Sequence, residues 1–315
     1  MIVDDSILKP EERAAFMLRS LYAAAGYRQY KMSKFEEYDL YAGNKDFLIS
    51  DSIITFTDTN GKLMALKPDV TLSIIRNTKD EPGRTQKVYY DENVYRISRG
   101  TRRFQEIKQS GLECIGDIGT DELREVIVLA AQSLKKLSPS CILDISHLGI
   151  LQALLDELGV KPEIEKAVLR GAARKNISEI EAICREADAD KQAAEALMKV
   201  AALYGRPEDV LFELEQILAG SKAGCALDEF RSILESLSET PAADILRIDF
   251  SVVSDMRYYN GVVFKGFIDG IPGSILSGGQ YDGMMRRMDR DAGAIGFAVY
   301  LDMLELLGER RGPDV

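Results

Sequence analysis

The sequence predicts an α+β protein, a sheet-based domain flanked by helices and interrupted by an inserted helical domain. Three observations predict it. Strand-like runs in the first half flank a tight-turn dipeptide, Asn60-Gly61. From about residue 148 to 240, Ala, Leu, Glu and Lys recur at helical spacing with no convincing strand. After Pro241 the strand signal returns. One domain built from residues 1–147 and 241–315 is therefore expected to enclose a helical insertion at 148–240.

Each element has its own signal. Pro10, Glu11 and Glu12 open a helix, and Ala14, Leu18, Leu21, Tyr22 and Ala25 follow on one face before Gly26 stops it. Residues 53–58 and 62–66 read as strands of a hairpin, because Asn-Gly tolerates the positive φ of a tight turn. Residues 87–95 and 106–115 read as two more, joined by an arginine-rich polar loop too long for a minimal turn. Thr120, Asp121 and Glu122 start a helix that runs to about Leu137, and 141–145 resembles a buried strand. Beyond the helical block, 245–250 and 262–268 read as strands. Gly-rich turns, a short helix near 281–288 and a final helix from about residue 301 come after them.

Composition narrows the function. With 46% apolar residues in 315, the chain can bury a substantial core. No stretch approaches the roughly 20 apolar residues of a bilayer span, and the start Met1-Ile2-Val3-Asp4-Asp5 lacks a basic, then apolar, leader. A cytoplasmic location is expected. Cys114, Cys141, Cys184 and Cys225 form no C-x-x-C pair and read as core thiols. His147 is the only histidine, which removes most histidine-based metal sites and Ser-His or Cys-His catalysis elsewhere; His147 itself reads as structural. No metal or cofactor is expected. A formal charge of −11 repels a nucleic-acid backbone on average and weighs against tRNA as partner. The local exception is the cluster Arg96, Arg99, Arg102 and Arg103.

Four segments carry a resemblance. Val94-Tyr95-Arg96 through Arg103-Phe104-Gln105-Glu106 to Gln109-Ser110-Gly111-Leu112-Glu113 looks like a motif 2 strand, loop and strand, and Gly293-Ala294-Ile295-Gly296-Phe297-Ala298 like motif 3. More specific are Val252-Val253-Ser254-Asp255-Met256-Arg257-Tyr258-Tyr259-Asn260 and Ser277-Gly278-Gly279-Gln280-Tyr281-Asp282-Gly283; Lys67-Pro68-Asp69-Val70-Thr71 completes the set. In this order they resemble the class II aminoacyl-tRNA synthetase core in its histidyl branch, over nearly the whole chain. The resemblance implies an antiparallel sheet flanked by helices and a site for free histidine. Asp69 would accept the ligand ammonium, with Thr71 and Gln109 completing its hydrogen bonds. Glu113 and a tyrosine hydroxyl, from among Tyr258, Tyr259 and Tyr281, would hold the imidazole nitrogens. Gln109 and Glu113, four apart on a strand, share a face. Plainer readings stand beside these: Asp69 as a helix cap, Glu113 as a surface carboxylate, the tyrosines as packing.

Activating an amino acid with ATP requires fixed cations around a polyanion. Arg96 is retained and Arg103 matches a second motif 2 arginine, across a loop one residue shorter than usual; both are candidates for residual anion binding. Ser254 stands where the histidyl segment places its catalytic arginine, Met303 where motif 3 places another, and Ser98 replaces the motif 2 glutamate. Losing one preorganised contact costs about 3 kcal/mol, so two losses leave little chemistry, and no catalytic residue is expected. Arg257, three residues from Ser254 on a strand, would face away and reads as a solvated or inter-subunit charge.

The sequence ends at Val315, where a synthetase would continue into its anticodon-binding domain, so no tRNA reader is expected. A histidine site without ATP cations resembles the regulatory subunits of ATP phosphoribosyltransferase, a family derived from this core. That resemblance implies a short-form catalytic partner in a hetero-octamer, activation, and feedback inhibition by histidine. The motif 1 region, from the first helix through Gly26-Tyr27-Arg28-Gln29-Tyr30 to Phe35 with Ser33 in place of its proline, implies self-association as a dimer. The basic loop at 96–103 reads as solvated, as a residual anion site or as a contact for the catalytic partner. Two other readings remain open: a truncated but active histidine-activating enzyme, and a histidine sensor serving another partner.

Overall fold

A computed structural model describes residues 7–43, 53–80, 83–98, 101–253 and 258–306. Pro10 begins α1 (Pro10–Ala24), where its missing amide costs nothing, and Gly26 ends the turn beyond it at φ +89°. Next in the chain are β1 (Arg28–Gln29), β2 (Phe35–Glu37), α2 (Tyr38–Ala42), β3 (Thr55–Thr57) and β4 (Leu63–Leu66). The hairpin between the last two turns on Gly61 at φ +81°, while Asp58 Oδ1 accepts the Asn60 and Lys62 amides, each at 2.8 Å. Then come α3 (Thr71–Asn77), the long strands β5 (Gln86–Ile97) and β6 (Phe104–Gly116), α4 (Thr120–Leu137) and β7 (Cys141–His147).

Six helices then run in succession: α5 (Leu148–Leu158), α6 (Pro162–Ala173), α7 (Ile177–Glu186), α8 (Lys191–Ala202), α9 (Pro207–Ile217) and α10 (Gly224–Leu237). Between α8 and α9 lies a strand that periodicity does not reveal, β8 (Tyr204–Gly205), which pairs antiparallel with β9 (Leu246–Asp249). Two residues are too few to carry a period. The chain closes with β10 (Val262–Ile268), β11 (Leu276–Gln280), α11 (Asp282–Arg287) and β12 (Gly293–Tyr300). The expected Gly-rich turns thus contain a strand, β11. The expected final helix begins as a 3₁₀ turn, Leu301–Leu304, and its continuation past residue 306 lies outside the described residues.

Nine strands form the main sheet in the order β1-β5-β6-β12-β11-β10-β7-β9-β8, and β2-β4-β3 form a small antiparallel sheet. Only the β1–β5 and β7–β9 pairs are parallel among the described strands. The two faces of the main sheet differ in what they bury. Leu112 and Cys114 of β6 and Ile295, Phe297 and Val299 of β12 join α1, α4 and the later helices in one large apolar core. Residues of opposite parity, Tyr90 and Val94 of β5, Ile115 of β6 and Ala294 of β12, pack with Leu72, Ile75, Tyr281 and Met284 in a second, smaller core. The polar residues singled out by sequence sit on this second face.

Candidate functional site

The site begins with the register of β6. It pairs with β12 from Gln109↔Tyr300 to Gly116↔Gly293, an unbroken ladder that turns Gln109 and Glu113 to the same face. Glu113 lies opposite Gly296, and a Cβ at that glycine would collide with the Glu113 carboxylate. The absent side chain is what lets an acid lie flat across the strand. Glu113 is 2% exposed. Thr71, in the first turn of α3, donates its hydroxyl to Oε1 at 2.7 Å, and Tyr281 donates to Oε2 at 2.6 Å. Burial pushes the Glu113 carboxyl up to about 8, against the pull of these two hydroxyls and with the repulsion of Asp69.

Asp69 precedes α3 and does two things at once. Its Oδ1 accepts the Leu72 amide at 3.0 Å, the capping role its context allowed, while Oδ2 lies 4.0 Å from Arg96 Nη2. Burial raises its carboxyl above the ordinary range, and the Arg96 guanidinium opposes that rise. Arg96 is itself buried, donating Nε to the Pro68 carbonyl at 2.9 Å, and its charge opposes the burial that raises the Tyr300 hydroxyl. Three tyrosines form an aromatic wall. The Tyr258 and Tyr259 rings are 4.5 Å apart and those of Tyr258 and Tyr281 5.9 Å apart. Burial raises both the Tyr258 and the Tyr259 hydroxyl well above the ordinary range, and Asp69 and Glu113 add to the rise. A Cβ on Gly279 would stand 2.8 Å from the Tyr259 ring, so β11 is glycine-rich because a tyrosine lies on it.

Asp69, Thr71, Glu113, Tyr258, Tyr281 and Arg96 therefore converge in one network, with Tyr259 packed against it and Gln109 buried on the same face. Thr71, expected beside the ligand ammonium, directs its hydroxyl to Glu113 in this structure. Arg103 does not join them: it is exposed where the β5–β6 hairpin turns, its carbonyl accepting the Ser98 amide at 2.9 Å. Met303, in the 3₁₀ turn, packs against the large apolar core. Ser254, Arg257 and Arg99 lie outside the described residues. Tyr300 is not singled out by sequence, and Ser277, though inside a family motif, is not named there as a site residue; once β11 and β12 are seen as strands, parity places Ser277 with Gly279 and Tyr300 with Gly296. His147 lies apart, at the start of α5, packed on Phe230 with Nε2 3.5 Å from Glu229. Among the described residues no cluster of three His, Cys, Asp or Glu is arranged to hold a metal, and no helix is long and apolar enough to cross a membrane.

Known proteins share this architecture. The chain is 26% identical over 291 residues to an ATP phosphoribosyltransferase regulatory subunit of Oceanobacillus iheyensis, covering 91% of this chain and 71% of that one. A solved ATP phosphoribosyltransferase regulatory subunit/histidyl-tRNA synthetase from Bacillus halodurans C superposes with a TM-score of 0.81 at 26% identity, over 95% of this chain and 79% of that one. An ATP phosphoribosyl transferase complex (HisG:HisZ) from Thermotoga maritima contains a chain of the same fold, with a TM-score of 0.69 at 20% identity over 92% and 97% of the two chains. The large sheet flanked by helices is thus the class II synthetase fold. The family model for histidyl-tRNA synthetase matches residues 5–304, and with that span the chain belongs to the histidyl-tRNA synthetase family.

Proposed function

We propose that this chain is a regulatory subunit of ATP phosphoribosyltransferase, which binds free histidine and carries no aminoacyl-activation chemistry of its own. The observation that carries the reading is the charge balance of the site. Among the described residues, the two buried acids Asp69 and Glu113 have one neighbouring guanidinium, Arg96, which is already engaged by the Pro68 carbonyl and by Asp69. Such a site disfavours a triphosphate and suits an ammonium and an imidazole. Glu113, with a proton to give at neutral pH and two fixed hydroxyls around it, matches an imidazole that offers one donor and one acceptor. Asp69 Oδ2 faces the ammonium, and Gln109 and the tyrosine hydroxyls supply the remaining polar contacts.

The names of the relatives support the regulatory role. In this reading the chain dimerises and joins a short-form catalytic subunit in a hetero-octamer, activating it and relaying inhibition by histidine. Residues 148–240 act as a helical domain inserted in the core formed by 1–147 and 241–315. No tRNA is bound. Two measurements test the proposal together. Calorimetric titration should show saturable histidine binding, and histidine-dependent exchange of pyrophosphate into ATP should be absent. Synthetase-like exchange, or failure to stimulate the short catalytic subunit encoded by the same genome, would overturn it.

A further inference from the structure

Asp282 comes directly after Tyr281 and has no part in the site described above. It occupies the first turn of α11, where a carboxylate ordinarily serves the local helix amides, yet its oxygens go to other segments. Oδ1 accepts the Ala294 amide of β12 at 2.9 Å. Oδ2 accepts Gln280 Nε2, at the end of β11, at 2.8 Å and Asn260 Nδ2 at 3.2 Å. Asn260 closes the circuit: its Oδ1 accepts the Gly283 amide at 3.1 Å, and its own amide donates to the Gln280 carbonyl at 3.0 Å. Gly261 makes room for this, since a Cβ there would collide with the Gln280 side chain.

One carboxylate therefore joins three stretches of chain. The first, through Asn260, carries Tyr258 and Tyr259. The second carries Tyr281, whose hydroxyl meets Glu113. The third is β12, two residues from Gly296, on which the Glu113 carboxylate rests. Removing the carboxylate leaves three donors without their acceptor where the stretches meet, the buried Ala294 amide and the half-buried side chains of Asn260 and Gln280, and the unpaired buried amide favours rearrangement. The groups nearest to that rearrangement are the three tyrosines.

We propose that Asp282 is a positioning residue of this site, holding the tyrosine wall and the Tyr281 hydroxyl in register with Glu113. The proposal rests on the histidine reading only for the identity of the ligand. It is tested with Asp282→Ala, Asp282→Asn, Tyr281→Phe and the double variant Tyr281→Phe/Asp282→Ala, by hydrogen exchange without ligand and by calorimetric titration with histidine. Asp282→Ala should accelerate exchange in residues 258–261, 281–283 and 293–295 while leaving the remote helices protected, and weaken histidine binding roughly tenfold. Asp282→Asn keeps an acceptor for Ala294 and should fall between; it decides the matter if the alanine variant does not fold. In the Tyr281→Phe background, Asp282→Ala should cost clearly less than in the unmodified chain, because one of the groups it positions, the Tyr281 hydroxyl, is already gone. Unchanged exchange in the tyrosine loop overturns the proposal, as does an equal loss of affinity in both backgrounds or a uniform rise in exchange across the chain. If the unmodified protein ignores histidine, the histidine reading fails, and the local exchange of 258–261 alone then upholds or refutes the role of Asp282.

Discussion

Glu113 shows how a single buried acid shapes both stability and binding. Its carboxyl lies at about 8 in the folded chain against 4.5 in the unfolded one, because burial penalises the charge. Between those values the folded chain holds a proton that the unfolded chain releases, so the stability tied to this group is complete below pH 4.5 and is lost as the pH rises through 8. Glu113→Gln keeps the shape and removes the titration. Its melting temperature should decline less between about pH 5 and 9 than that of the unmodified chain, and parallel curves would refute the burial argument. Ligand binding offers a second measure. Asp69→Ala and Glu113→Ala should each weaken histidine binding by on the order of 1–3 kcal/mol, and affinity unchanged in both would remove the assignment. Parity along one strand was enough to put Gln109 and Glu113 together. It could not show that Thr71 would turn to Glu113, because that contact spans 42 positions and depends on how α3 meets the sheet.

At the scale of elements, the junction between β7, β8 and β9 carries a second pair of acids. Asp144 and Asp249 lie on adjacent strands, and Lys175, between α6 and α7, reaches Asp249 at 2.9 Å while its ammonium stands 4.5 Å over the Tyr204 ring. Burial and the neighbouring Asp249 push the Asp144 carboxyl up to about 7, against the opposing pull of Lys175 and Arg247. Lys175→Met should therefore destabilise the fold at pH 8 by about 1 kcal/mol, a figure held down by the partial exposure of the lysine. Asp144→Asn should stabilise it by on the order of 1–2 kcal/mol at the same pH and have a much smaller effect at pH 4, where the folded carboxyl is protonated and the unfolded one only partly ionised. Denaturant midpoints at the two pH values check both signs. None of this was legible in the sequence, since Tyr204-Gly205 is too short to register as a strand and Lys175 meets its partner through tertiary folding alone. The hairpin at Gly61 and the helix from Pro10 were legible because their signals are local. β11 was misread for a physical reason: Ser277-Gly278-Gly279 has the composition of a turn, but those glycines admit Tyr259 on one face and Phe297 on the other.

At the scale of the whole molecule, the larger of the two apolar cores joins the helices of residues 148–240 to the sheet. Leu151 and Leu154 of α5 and Phe230 and Leu234 of α10 belong to the same continuous cluster as Val126 and Ile127 of α4 and Phe264 and Phe297 of the sheet. The break in composition near residue 148 was plain in the sequence, because helical periodicity replaces strand signals there. The shared core was not, because an apolar helix face does not reveal which element it will cover. The consequence is thermodynamic. An insertion that sealed its own core would melt as a separate unit, whereas helices that complete the core of the sheet unfold with it. Calorimetry should therefore give one transition whose van't Hoff and calorimetric enthalpies agree, and Lys175→Met should move that whole transition to lower temperature without splitting it. Two resolved transitions, with only the one belonging to the helices shifted by the substitution, would show that residues 148–240 stand on a core of their own and that the sheet does not depend on them.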